Sequence, residues 1–78
     1  MLHLTLKQLK RYNGKDKPQM YVAVNGKIYD VTHVKHWSGG QHHGHVAGTD
    51  LTHVMKDSPH GSKVLKWLKV VGTLVPGK

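Results

Sequence analysis

The sequence predicts one small α+β domain built from a short helix, a β-hairpin, two or three further short helices and a closing strand. Three observations carry that prediction. A chain of 78 residues has room for a single core. The stretch MYVAV-NG-KIYDV sets two β-rich runs on either side of Asn25-Gly26, the favoured pair for a tight hairpin turn. Helix starts and stops flank the hairpin on both sides, so strands and helices follow one another as blocks, the order of an α+β fold.

Along the chain, LTLKQLKRYNG reads as a short helix. Thr5 is its N-cap, Leu6 and Leu9 share a face with Tyr12 nearby, and Asn13-Gly14 supplies the stop. KDKP is a polar turn ahead of the hairpin. After Thr32 the chain becomes rich in Gly and His, too Gly-laden for a long regular element. GTDLTHVMK reads as a short helix capped by Thr49 or Asp50. In SPHGSKVLKWLK, Ser58 is the N-cap and Pro59 takes the first helical position, with Val64, Leu65 and Leu68 as the apolar stripe. KVVGTLV closes as a strand interrupted by glycine, and a loose Pro-Gly tail follows. No repeat or linker divides the chain, so residues 1–78 form one expected domain.

Composition narrows the function. A chain this short buries only about 60% of its unfolded surface, and this one has no Phe, two Trp and three Tyr. Small scaffolds with thin cores recruit disulfides, metals, cofactors or partners. The absence of cysteine excludes disulfides and thiolate zinc sites and suits a reducing compartment. A bound cofactor is attractive on stability grounds alone. Twelve Lys and Arg against four acids give a formal charge of +8, which suits acidic partners, anionic membrane surfaces or nucleic acid. The lysines are scattered, and no aromatics interleave with them, which argues against a nucleic-acid binder. No apolar run approaches the roughly 20 residues of a membrane span, and the N-terminus lacks a signal-peptide pattern. The expectation is a soluble, cytoplasmic monomer. No nucleophile–base or carboxylate pair stands out, so catalysis in its own right is not expected.

The chemistry lies in HVKHWSGGQHHGH, where five of the eight histidines fall within thirteen positions, 33 to 45. Imidazole is the commonest nitrogen ligand for transition metals and for haem iron. A small-ion site at His42, His43 and His45 would need converging ligands, and only Asp50 offers a carboxylate nearby. A haem site asks for less: one histidine from each of two walls and an apolar slot. His60 suits the second wall, because the positive end of a helix dipole behind Ser58-Pro59 disfavours imidazolium and keeps a ligand nitrogen free. Taken singly, His3, His33 and His53 read as surface residues.

From LTLKQL through VVGTL the chain resembles the cytochrome b5 haem-binding domain. VAVNGKIYDVT is similar to the family's hairpin, AGTDLT resembles its AG-x-D-x-T segment, His60 follows Asp50 by ten residues, and VVGTL matches the closing strand. The resemblance implies haem b (iron protoporphyrin IX) held by two histidines, and one-electron transfer to a redox partner protein. It departs from the family at the first ligand. The usual His-Pro-Gly-Gly is replaced by His36-Trp37-Ser38-Gly39-Gly40, and the segment from Thr32 to Ala47 is about two residues shorter. The short bacterial b5-like proteins and the membrane-associated progesterone-receptor type offer a second template. In the latter a ligating Tyr lies seven residues before the matching Asp, and here that position is His43.

The preferred iron ligands are therefore His43 and His60, with His36 or His42 as the alternative first ligand. Trp37, Gly39, Gly40 and His42 would form the turn beside the first ligand. Val46, Leu51, Val54, Met55, Leu65 and Trp67 would line the slot. Familiar b5 domains are acidic around the haem edge. Here Lys35, Lys56 and Lys63 would make a basic edge that prefers an acidic partner. The remaining alternatives are a carrier or sensor for haem or a steroid-like ligand, and a His-cluster metal-binding protein.

Overall fold

A computed structural model describes residues 1–34, 41–42, 45–53 and 65–77 of the chain. The elements are β1 (Leu2–Leu4), α1 (Leu6–Leu9), β2 (Tyr21–Val24), β3 (Lys27–Asp30), β4 (Gln41–His42), β5 (His45–Val46) and β6 (Lys69–Leu74). Four strands make a mixed sheet in the order β1-β6-β3-β2, and β4 pairs with β5 in a separate two-stranded ribbon. The α+β class is as the sequence predicts. The addition is β1, which sequence reading placed before the first helix without assigning it to a strand; it runs parallel to β6 at the sheet edge.

Local chemistry explains the first elements. Thr5 caps α1 as predicted, and the cap is a full capping box: Gln8 N–H donates to Thr5 Oγ1 at 3.2 Å, while Thr5 N–H donates to Gln8 Oε1 at 3.0 Å. Thr5→Ala is expected to cost about 1 kcal/mol and lower Tm by roughly 4–8 °C, measured by thermal melting. The β2–β3 hairpin turns through Asn25 at φ 52° and Gly26 at φ 80°, the two left-handed residues of a type I′ turn.

The sheet is buried on both faces, which is why YVAV reads as a continuous apolar run. Side chains alternate along β2. Val22 and Val24 join Met20, Tyr29, Val31, Ala47 and Leu51 in one core cluster. Tyr21 and Ala23 join Leu4, Leu9 and Ile28 in a second, which α1 covers through Leu9. The β3–β6 register shifts between Ile28 and Tyr29. Val70 thereby packs on the first cluster and Val71 on the second.

Tyr21 lies in the second cluster with its ring stacked on Tyr12, centroids 4.7 Å apart. Burial, the Asp30 charge and Tyr12 together raise its phenol pKa above the ordinary value. A raised folded-state pKa means the neutral phenol is favoured in the fold. The resulting stability is complete below the unfolded value of about 10 and is lost as pH rises through the higher folded value. Tm is expected to fall more steeply between pH 9 and pH 11 in the native chain than in Tyr21→Phe; equal slopes would contradict the assignment.

Candidate haem-side site

The first core cluster positions the site. Val34, Leu65, Leu68 and Val70 are partly buried against it and form its rim. Val34, Ala47 and Leu65 all pack in this cluster, on the face opposite the one that α1 covers. In the sequence Val34 precedes His36 by two residues, Ala47 follows His43 by four, and Leu65 follows His60 by five.

The anchor on the β2 side is the segment 47–52. It docks along the sheet edge by backbone hydrogen bonds: Gly48 N–H donates to Tyr21 O at 2.6 Å, Ala23 N–H to Thr49 O at 3.0 Å, and Leu51 N–H to Ala23 O at 2.7 Å. Gly48 has φ 88°, and a Cβ there would stand 2.9 Å from Lys10 O and 3.1 Å from Leu9 O. Only glycine allows the segment to lie on the carbonyls that end α1. Asp50 Oδ1 accepts from Thr52 N–H at 3.0 Å and from the Thr52 hydroxyl, and Thr52 Oγ1 accepts from Asn25 N–H at 2.9 Å. Between the two expected caps, the acceptor is Asp50. A similar Asp–Thr device closes β3, where Asp30 Oδ1 accepts from Thr32 N–H at 2.8 Å and Thr32 Oγ1 accepts from Met20 N–H at 3.0 Å.

Leu51 is buried in the cluster and Leu65 half-buried on it, both where a slot wall requires apolar bulk. Val46 is 43% exposed beside them. Trp67 is 86% exposed and belongs to neither cluster. In the turn that follows Leu65, positions three apart share a face, so Leu68 takes the packing expected of Trp67. His42 pairs with His45 across the β4–β5 ribbon. His36, Trp37, Gly39, Gly40, His43, Val54, Met55 and His60 lie outside the described residues, as do Lys35, Lys56 and Lys63. His3, His33 and His53 are exposed, and His3 Nδ1 hydrogen-bonds Thr73 Oγ1 at 3.0 Å. Sequence reading missed Val34, Leu68 and Val70 as rim residues. For Val34, its position four residues past β3 was the available signal.

A family model described as the cytochrome b5-like heme/steroid binding domain matches residues 5–75. The chain belongs to this family. Among solved structures, a cytochrome b5 domain protein from Hadesarchaea is similar with 49% identity and a TM-score of 0.87, the match covering 96% of this chain and 100% of that one. Two curated relatives are Protein vem-1 of Caenorhabditis elegans, 31% identical over 68 residues, and Probable steroid-binding protein 3 of Arabidopsis thaliana, 36% identical over 56. The matches cover 86% and 69% of this chain but only 37% and 56% of those relatives. The residues of this b5-like domain fit haem in chemical kind: an apolar cluster with a half-buried rim, in a chain rich in imidazole. Among the described residues, no helix is long and apolar enough to cross a membrane.

Proposed function

We propose that this b5-like domain binds haem b between His43 and His60 and passes single electrons to a partner with an acidic docking face. The observation that carries the reading is the apolar cluster that holds Val34, Ala47 and Leu65, residues close in sequence to His36, His43 and His60. The choice of His43 over His42 rests on its place seven residues before Asp50, the position of the ligating Tyr in the second family template. When bound, haem with both axial positions filled supplies a one-electron couple and no open coordination site.

The chain's own residues would then have three tasks. The imidazoles of His43 and His60 would hold the iron. Leu51, Leu65, Leu68 and Val34, packed in one apolar cluster, would exclude water and keep the surrounding dielectric low, a lever on redox potential. Lys35, Lys56 and Lys63 would supply positive charge, together with the exposed Lys66 and Lys69.

Electron transfer tests the reading. The dithionite-reduced holoprotein is expected to pass one electron per haem to an acidic redox protein in stopped flow. The rate should fall steeply as salt is raised from 20 to 500 mM, since complementary charge governs encounter. A salt-independent rate would remove the acidic partner. Failure to reoxidise with any acceptor would leave haem carriage, or binding of a steroid-like ligand as the Arabidopsis relative's name suggests.

A further inference from the structure

On the opposite face of the sheet from the haem-side cluster, α1 and the loop after it enclose a groove of about 340 Å³. It is lined by Leu4, Lys7, Gln8, Arg11, Tyr12 and Lys17. We infer that this groove is a binding site for a small organic anion, with a phosphate or carboxylate head and a compact apolar body.

The groove is assembled by specific local chemistry. Lys7 and Arg11 stand four residues apart on α1 and the turn that extends it, so they project from one side. That turn continues through the hydrogen bonds of Arg11 N–H to Gln8 O at 3.2 Å and Tyr12 N–H to Leu9 O at 2.9 Å. Asn13 then folds the loop back: its Oδ1 accepts from Lys15 N–H and Asp16 N–H, both at 2.8 Å, and its Nδ2 donates to Lys10 O at 3.2 Å. The return of the chain brings Lys17 Nζ to 5.3 Å from the centre of the Tyr12 ring, within cation–π range. Tyr12 is itself held by stacking on Tyr21.

Three cations thus border one groove, and no acid lines it. The nearby Asp16 accepts from Asn13 Nδ2 at 3.1 Å, while Asp30 and Asp50 accept from Thr32 and Thr52. Like charges at this helical spacing oppose folding, and a bound anion would relieve that repulsion. Arg11 offers a planar fork suited to phosphate or carboxylate, Lys7 and Lys17 offer point charges, and Gln8 offers an amide. The volume is at the lower end of small-molecule sites and well above what a bare inorganic anion fills. Buried Leu4 and half-buried Tyr12 supply apolar contact for the remainder of the ligand.

An NMR titration of the intact ¹⁵N-labelled protein with phenyl phosphate tests this, and it does not depend on the haem reading. The expected result is saturable shifts confined to residues 4–17, with benzoate in a parallel arm showing which head group is preferred. The double variant Arg11→Gln, Lys17→Gln alters two exposed side chains. It should weaken binding at least tenfold while leaving the far-UV circular dichroism and any haem spectrum unchanged. Absent shifts, shifts spread equally over Lys27, Lys66 and Lys69, or an unaltered affinity in the double variant would overturn the site. Inorganic phosphate binding as tightly as phenyl phosphate, or neutral benzyl alcohol giving the same response, would overturn the assigned ligand class.

Discussion

On the proposed function, His60→Ala is expected to convert a low-spin, six-coordinate haem protein into a high-spin one and to weaken haem retention by at least about 100-fold. The magnitude follows from the ligand bond itself, since even partners one shell out are worth about 10–100-fold in metal affinity. His60 is the second-wall ligand in every pairing that the sequence allows, so its removal has no histidine in SPHGSKVLKWLK to replace it. The first wall behaves differently. His43→Ala is expected to give the same spectral change, whereas His36→Ala and His42→Ala keep the low-spin spectrum. Added imidazole should restore six-coordination in His43→Ala and His60→Ala. A low-spin spectrum surviving in His43→Ala but lost in His36→Ala would move the first ligand to His36. Absorption spectra of the four variants, with haem transfer to an apo-acceptor as the retention assay, check all of this.

Gly48→Ala is the second large effect, and it acts on the scaffold. The position combines φ 88° with a Cβ that would sit 2.9 Å from Lys10 O and 3.1 Å from Leu9 O. Backbone strain of this kind costs about 1–3 kcal/mol, and forced overpacking adds a similar term. The opposing atoms are backbone carbonyls at the end of α1, which cannot swing aside as a side chain would. A loss of about 3 kcal/mol corresponds to roughly 12–24 °C in Tm for a domain of this size. The damage reaches the haem side, because Gly48 N–H to Tyr21 O is the first bond that docks segment 47–52 beside the first cluster. Haem affinity is therefore expected to fall together with Tm, although Gly48 lies five residues from His43. Melting and haem titration of the same variant check the coupling; a lowered Tm with unchanged haem affinity would separate scaffold from site.

Particular residues explain how far the sequence could be read. Thr5, Asn25 and Gly26 act through neighbours in sequence, and their cap and turn appear where local rules put them. β1 escaped because three residues carry no periodicity, and their strand partner among the described residues, β6, lies about 70 residues away. Gly72 held a trace of it. The glycine that interrupts the closing strand faces Leu2 across the β1–β6 pair, where a Cβ would collide with the Leu2 backbone. The strand β2 was legible as the apolar run YVAV, which does not by itself say which residues face which cluster, and Leu68 and Trp67 could not be told apart by apolar character. Their roles depend on how the turn after Leu65 meets the sheet. The first ligand was least legible, because His42 and His43 are chemically identical and adjacent.

The central claim, haem held by two histidines on the open apolar face, is tested most directly by titrating the protein with haemin and recording spectra before and after dithionite. The account predicts saturation at one haem per chain, a sharp Soret band, and well-resolved split α and β bands on reduction. A chain that takes up no haem, or binds it only as a high-spin adduct, contradicts it.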